Sequence, residues 1–213
     1  MPSISRLPRI KSFSAASTIA LALTAAAALP NIAHASSDEI HFDLSRSPGI
    51  VKAGCLLDAR GTVSIESTGP VEHMRVKVEG LPPNTDFDFF VIQAPNAPFG
   101  MSWYQGDIET NAKGVGHGRF TGRFNVETFI VAPGTAPAPS VFNHAFPDAT
   151  LNPPTGPIHT YHLGLWFNSP ADAAKAGCPA NVTPFNGEHD AGIQVLNTGS
   201  FPELQGPLLL LKP

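Results

Sequence analysis

Apolar and polar positions alternate most regularly between residues 71 and 93, and the rest of the chain is organised around that stretch. Met74, Val76 and Val78 interleave with Arg75, Lys77 and Glu79, the period-2 pattern of a strand with one buried face. In the run Asp86-Phe87-Asp88-Phe89-Phe90-Val91-Ile92, residues Phe87, Phe89 and Val91 point one way and Phe90 and Ile92 the other. That pattern predicts a strand covered in part on both faces. Between the two runs Pro82 and Pro83 cannot donate to a ladder, so the chain must leave the sheet there.

Further strands are predicted at 41–44, 50–53, 61–66, 107–110, 115–120, 160–167, 192–196 and 207–211. Residues 94–106 read as a loop carrying Trp103 and Tyr104, and Asn111-Ala112-Lys113-Gly114 as a hairpin turn. Phe120, Phe124 and Val126 share a face. Phe129 and Val131 have the opposite parity, which a bulge or a change of sheet would produce. Residues 132–157 hold seven prolines and predict a long irregular surface excursion. Ser169-Pro170 through Gly177 has the signature of one short helix, with a serine cap, proline in the first turn and glycine past the end. The pattern predicts an all-β protein, an antiparallel β-sandwich with long Pro/Gly-rich loops.

The first 35 residues differ from the rest. Arg6, Arg9 and Lys11 precede an Ala-rich apolar run over 18–29, and Ala33-His34-Ala35 follows a break at Pro30. That order is a secretory signal with cleavage between Ala35 and Ser36, and its apolar run is too short to span a bilayer. Residues 36–213 are then one domain with no transmembrane segment, secreted or periplasmic. The leader contains no acidic residue, so its removal takes the formal net charge from −4 to about −7. An acidic chain without a basic cluster in sequence argues against nucleic acid as partner. In an exported chain the two cysteines, Cys55 and Cys178, are expected to form a disulfide.

At Leu81-Pro82-Pro83-Asn84-Thr85-Asp86-Phe87 the sequence resembles the corner before the sixth strand of fibronectin type III and related immunoglobulin-like domains. Phe87 stands where that family usually has Tyr. The resemblance implies an immunoglobulin-like sandwich and, since that fold hosts many activities, no function. The rest of the chain resembles secreted bacterial proteins of no assigned role.

Catalytic and metal motifs are weak. His159 and His162 are three apart and would face opposite sides of a strand. No His-x-His pair or Gly-x-Ser-x-Gly elbow occurs. The expectation is therefore no catalytic residue, no metal ligand and no cofactor. The candidate binding surface comprises Trp103, Tyr104, Trp166, His162, Glu188, His189 and Asp190, with a carbohydrate or a protein as ligand. The alternative is a secreted metal-dependent or hydrolytic enzyme with a site assembled from distant histidines and carboxylates.

Overall fold

The computed structural model describes residues 38–124, 129–130, 157–184, 189–203 and 205–211. The leader, most of the Pro-rich excursion and Glu188 lie outside the described residues. The described residues belong to one compact unit, 36–213.

The protein is all-β. Eight strands form one antiparallel sheet: β1 (Asp38–Arg46), β2 (Arg60–Ser67), β3 (Glu72–Glu79), β4 (Phe87–Ile92), β5 (Ser102–Asp107), β6 (Gly116–Gly122), β9 (His162–Phe167) and β10 (Gln194–Asn197). The pair β7 (Phe129–Ile130) and β8 (Pro157–Ile158) stands apart. The order across the large sheet is β5-β4-β9-β10-β1-β2-β3-β6. Residues of β1 up to Leu44 pair with β2, whereas Ser45 and Arg46 pair with β10, so β1 joins the two halves. The two edges curl towards each other. Trp103 on β5 lies 6.3 Å from Phe124 just past β6, and Thr110 bridges Gly116. The sheet is therefore nearly closed, and the main core fills its interior with Phe87, Phe89, Leu163, Leu165 and Phe167 among others.

The two central runs form strands as the alternation predicts, but β3 and β4 do not pair. The corner carries the chain from one half of the sheet to the other. Its anchor is Thr110, whose hydroxyl donates to the Pro82 carbonyl (2.6 Å) and accepts from the Thr85 N–H (3.0 Å). Asn84 takes a positive φ of 48° there, the left-handed conformation that asparagine tolerates.

Three expected elements are corrected. Residues 50–53 belong to a helix, α1 (Pro48–Ala53), capped by the Ser47 side chain on the Ile50 N–H and closed by Gly54 at φ 68°. Residues 102–107 are strand β5 and not loop. Residues 207–211 make a 3₁₀ turn (Pro207–Leu210): Leu208 and Leu211, three apart, both enter the core, which a strand could not arrange.

The expected short helix is α2 (Pro170–Lys175), with Ser169 accepting from the Asp172 N–H. Cys55 and Cys178 are bonded, each placed directly after the glycine that follows a helix. The tetrapeptide Lys-Ala-Gly-Cys occurs at both places, 52–55 and 175–178, and marks the shared design in the sequence.

Candidate functional site

The strand registers place the expected residues on two different faces. On β4 the odd positions Phe87, Phe89 and Val91 enter the main core, so Asp88, Phe90 and Ile92 face outward. Opposite them on β9 stand Trp166, Gly164 and His162. On β5 the partners are Asp107, Tyr104 and Ser102. Tyr104 and Asp107 are three residues apart and would face opposite ways on a regular strand. The register shift between Phe89 and Phe90, which leaves Gln105 without a partner on β4, turns both outward. The Tyr104 hydroxyl then donates to Asp107 Oδ1 at 2.5 Å.

One cross-strand row on this face is wholly polar or amphipathic: Asp107, Asp88, Trp166 and Gln194. Asp88, Trp166 and Gln194 are 2, 3 and 6 % exposed. Each keeps a buried polar atom, Asp88 Oδ2, Trp166 Nε1 and Gln194 Nε2, with no partner among the described residues. Buried polar atoms are ordinarily satisfied, and three orphans in one row are unusual. The next row supplies aromatic cover. Phe90 packs against Tyr104 at 5.4 Å and against Trp166 at 5.3 Å, while Phe99 closes on Trp166 from the other side at 5.0 Å. Ile92 and Ala191 complete this second small core.

The electrostatics of the row are one-sided. Burial first, then the Asp107 carboxylate, raises the Asp88 carboxyl to about 6, with Asp86 adding and His189 opposing. Burial and then Asp107 also raise Asp86, and Glu109 contributes in the same direction. Burial, followed by the bond to Asp107, holds the Tyr104 phenol well above its usual range. Among the described residues no lysine or arginine forms an ion pair with Asp86, Asp88, Asp107 or Glu109. His189, whose Nε2–H donates to Asn168 Oδ1 at 2.7 Å, is the basic group acting on Asp88.

The seven expected surface residues divide accordingly. Tyr104, 42 % exposed, and His189 both act on or beside Asp88. Trp103 faces the opposite side of β5 and packs against the main core. Trp166 is buried in the second small core beneath Phe99, so it offers no stacking platform. His162 is fully buried: its Nε2–H donates to the Glu203 carbonyl and its Nδ1 accepts from the Thr198 hydroxyl, both at 2.8 Å. Burial lowers this imidazole to about 4, against the opposing effect of the backbone groups of Glu203, Pro202 and Thr198. Asp190 is exposed and Glu188 lies outside the described residues. Asp86, Asp88 and Asp107 were not singled out by sequence reasoning as a set. Asp88 sits inside an apolar run, and only the register shows what it faces. Among the described residues no group of three or more His, Cys, Asp or Glu side chains is arranged to hold a metal ion.

Gly164 keeps this face flat. A Cβ there would lie 2.4 Å from Trp166 Cζ3 and 2.9 Å from Gln194 Nε2. Gly164→Ala is expected to displace the indole and lower stability by about 1–3 kcal/mol. Near-ultraviolet circular dichroism and urea unfolding would show both effects; an unchanged tryptophan signal would contradict the packing described.

No protein-family model matches the chain, and no curated protein matches it in sequence.

Proposed function

We propose that this is an exported, non-catalytic binding protein whose ligand meets the outer face of β5 and β4 through a positively charged group. The observation that carries the reading is the uncompensated carboxylate set of Asp86, Asp88, Asp107 and Glu109, with Asp88 buried and one of its oxygens orphaned. Keeping a carboxyl buried beside like charges costs stability, and such sites concentrate where function requires them. A cation at Asp107 and Tyr104 would neutralise the set and find an aromatic rim in Tyr104 and Phe90. Lysine or arginine side chains of a protein ligand, or an amino sugar, have that chemistry.

Export rests on the leader read over 1–35, and the disulfide is compatible with an oxidising compartment. Among the described residues no helix is long and apolar enough to cross a membrane. The corner at Leu81–Phe87 is the sequence feature that favours an immunoglobulin-like sandwich as the finer description of the sheet. Binding is preferred over hydrolysis because the carboxyl that titrates near neutrality is the one solvent does not reach.

Amide-resolved NMR titration with butylammonium chloride, against sodium chloride at equal ionic strength, tests the reading. Saturable shifts are expected at Asp88, Tyr104 and Asp107, weakened at least fivefold by Asp107→Asn. Shifts no different from those with sodium chloride would refute it.

A further inference from the structure

The opposite half of the sheet presents a second face, unrelated to the carboxylate set. There β1, β2, β3 and β6 turn alternate residues to solvent, and the registers stack them into rows. His41, Ser64, Arg75 and Arg119 form one row; Asp43, Thr62, Lys77 and His117 form the next. Arg75 thus stands directly opposite Arg119, and Lys77 directly opposite His117. Like charges directly opposite one another destabilise a ladder, so the Arg75–Arg119 pair is not explained by the fold.

The acids on this face do not resolve the conflict, and Asp43, at the far end of the second row, makes no ion pair among the described residues. Glu39 and Glu66 lie at one end and engage Arg75 at 3.9 and 3.3 Å, while Glu79 lies at the other and engages Lys77 at 3.0 Å. These are exposed pairs, weakly held and readily exchanged for a better anion. Arg119 and His117 make no hydrogen bond or ion pair among the described residues. A trough of about 290 Å³ is lined by residues of both rows, among them His41, Thr62 and Ser64.

We propose that this trough binds a tetrahedral oxyanion, a phosphate or sulfate group carried as a monoester. Adjacent strands stand about 5 Å apart and same-face residues about 7 Å apart along a strand, so Arg75, Arg119, Lys77 and His117 arise from the corners of a patch small enough for their side chains to converge on one compact anion. The forked guanidinium of Arg119, unpaired and on the edge strand, is the principal contact, since planar bidentate donation suits such oxygens. Thr62 and Ser64 hydroxyls and His41 receive the esterified remainder. The sequence hides this cluster because its basic residues come from three separate strands of a chain that is acidic overall.

The test is amide-resolved NMR titration of the folded protein at low ionic strength with inorganic phosphate, inorganic sulfate and glycerol phosphate, each against sodium chloride at equal ionic strength. Saturable one-to-one shifts are expected at Ser64, Arg75, Lys77 and Arg119, with the ester several-fold tighter than the free anions. Arg119→Gln should weaken binding at least fivefold without changing the unfolding midpoint. Glu66→Gln, which removes the nearer of the two carboxylates on Arg75, should tighten it. Lys52→Gln, on α1 and outside the trough, should leave it unchanged. Free anions binding as tightly as the ester would remove the role given to Thr62, Ser64 and His41. Unsaturable shifts spread over all basic residues, or an Arg119→Gln variant that binds as the parent does, would overturn the proposal.

Discussion

Replacing Cys55 and Cys178 together by alanine will lower the unfolding free energy by about 3–5 kcal/mol. The bond closes a loop with a sequence separation of 123 residues, for which chain-entropy arguments give about 5 kcal/mol at most. Its position adds a local effect. α1 and α2 are six residues each, far too short to persist without tertiary support. Each hands its last glycine directly to a bonded cysteine, so the bridge fastens the ends of both helices at once. Urea unfolding of the parent, the double variant and the reduced parent should place the last two together, well below the first. A loss under 1 kcal/mol would mean that the helices hold their places by packing alone. That outcome is disfavoured by their small buried faces, Ile50 in one and Ala173 in the other.

How much of this was legible in the sequence depends on how regularly each element alternates. β2 and β9 show an unbroken apolar face, β3 one interrupted by Glu72, and β4 one on its odd positions and a second interrupted by Asp88, so most of their burial follows from side-chain parity. β5 reads Ser-Trp-Tyr-Gln-Gly-Asp, and its register shift breaks the alternation that would have revealed it. Ordinary strand alternation sends Trp103 to the core and Tyr104 outward, and the shift adds Asp107 to the face of Tyr104. α1 was hidden by Ile50 and Val51, which resemble a strand fragment. The serine-proline start and glycine stop that betray α2 are present there as well. The carboxylate row and the basic trough are products of register, since their members come from strands distant in sequence. Only pairing brings Asp88 against Asp107 and Arg75 against Arg119.

Asp88→Asn will make the protein more stable at pH 7.5, by about 1–2 kcal/mol, and will expose a hidden acid sensitivity. The carboxyl of Asp88 is raised in the fold, from an ordinary 3.8 to about 6. A raised carboxyl contributes stability that is fully present below its ordinary value and lost as pH rises through about 6, because the folded state holds the proton more tightly. At neutral pH that contribution is gone and an ionised, buried group with an orphaned oxygen remains; asparagine removes the charge. His162 works in the opposite sense. Its imidazole is lowered from 6.5 to about 4, so its contribution is present above 6.5 and lost as pH falls towards 4. Across pH 4–6.5 the two slopes oppose, and the parent should show a shallow dependence. In Asp88→Asn the main slope opposing the histidine is gone, and stability should fall by about 2–3 kcal/mol between pH 7 and pH 4.5. In His162→Gln, whatever its absolute stability, the slope should reverse, with the protein firmer at pH 4.5 than at pH 7. Urea midpoints at four pH values for the three proteins decide the matter. An Asp88→Asn variant weaker than the parent at pH 7.5 would show that the carboxylate is compensated in the fold. It would also take away the ground for assigning Asp88 to a binding site, since a group that stabilises the free protein needs no ligand to account for it.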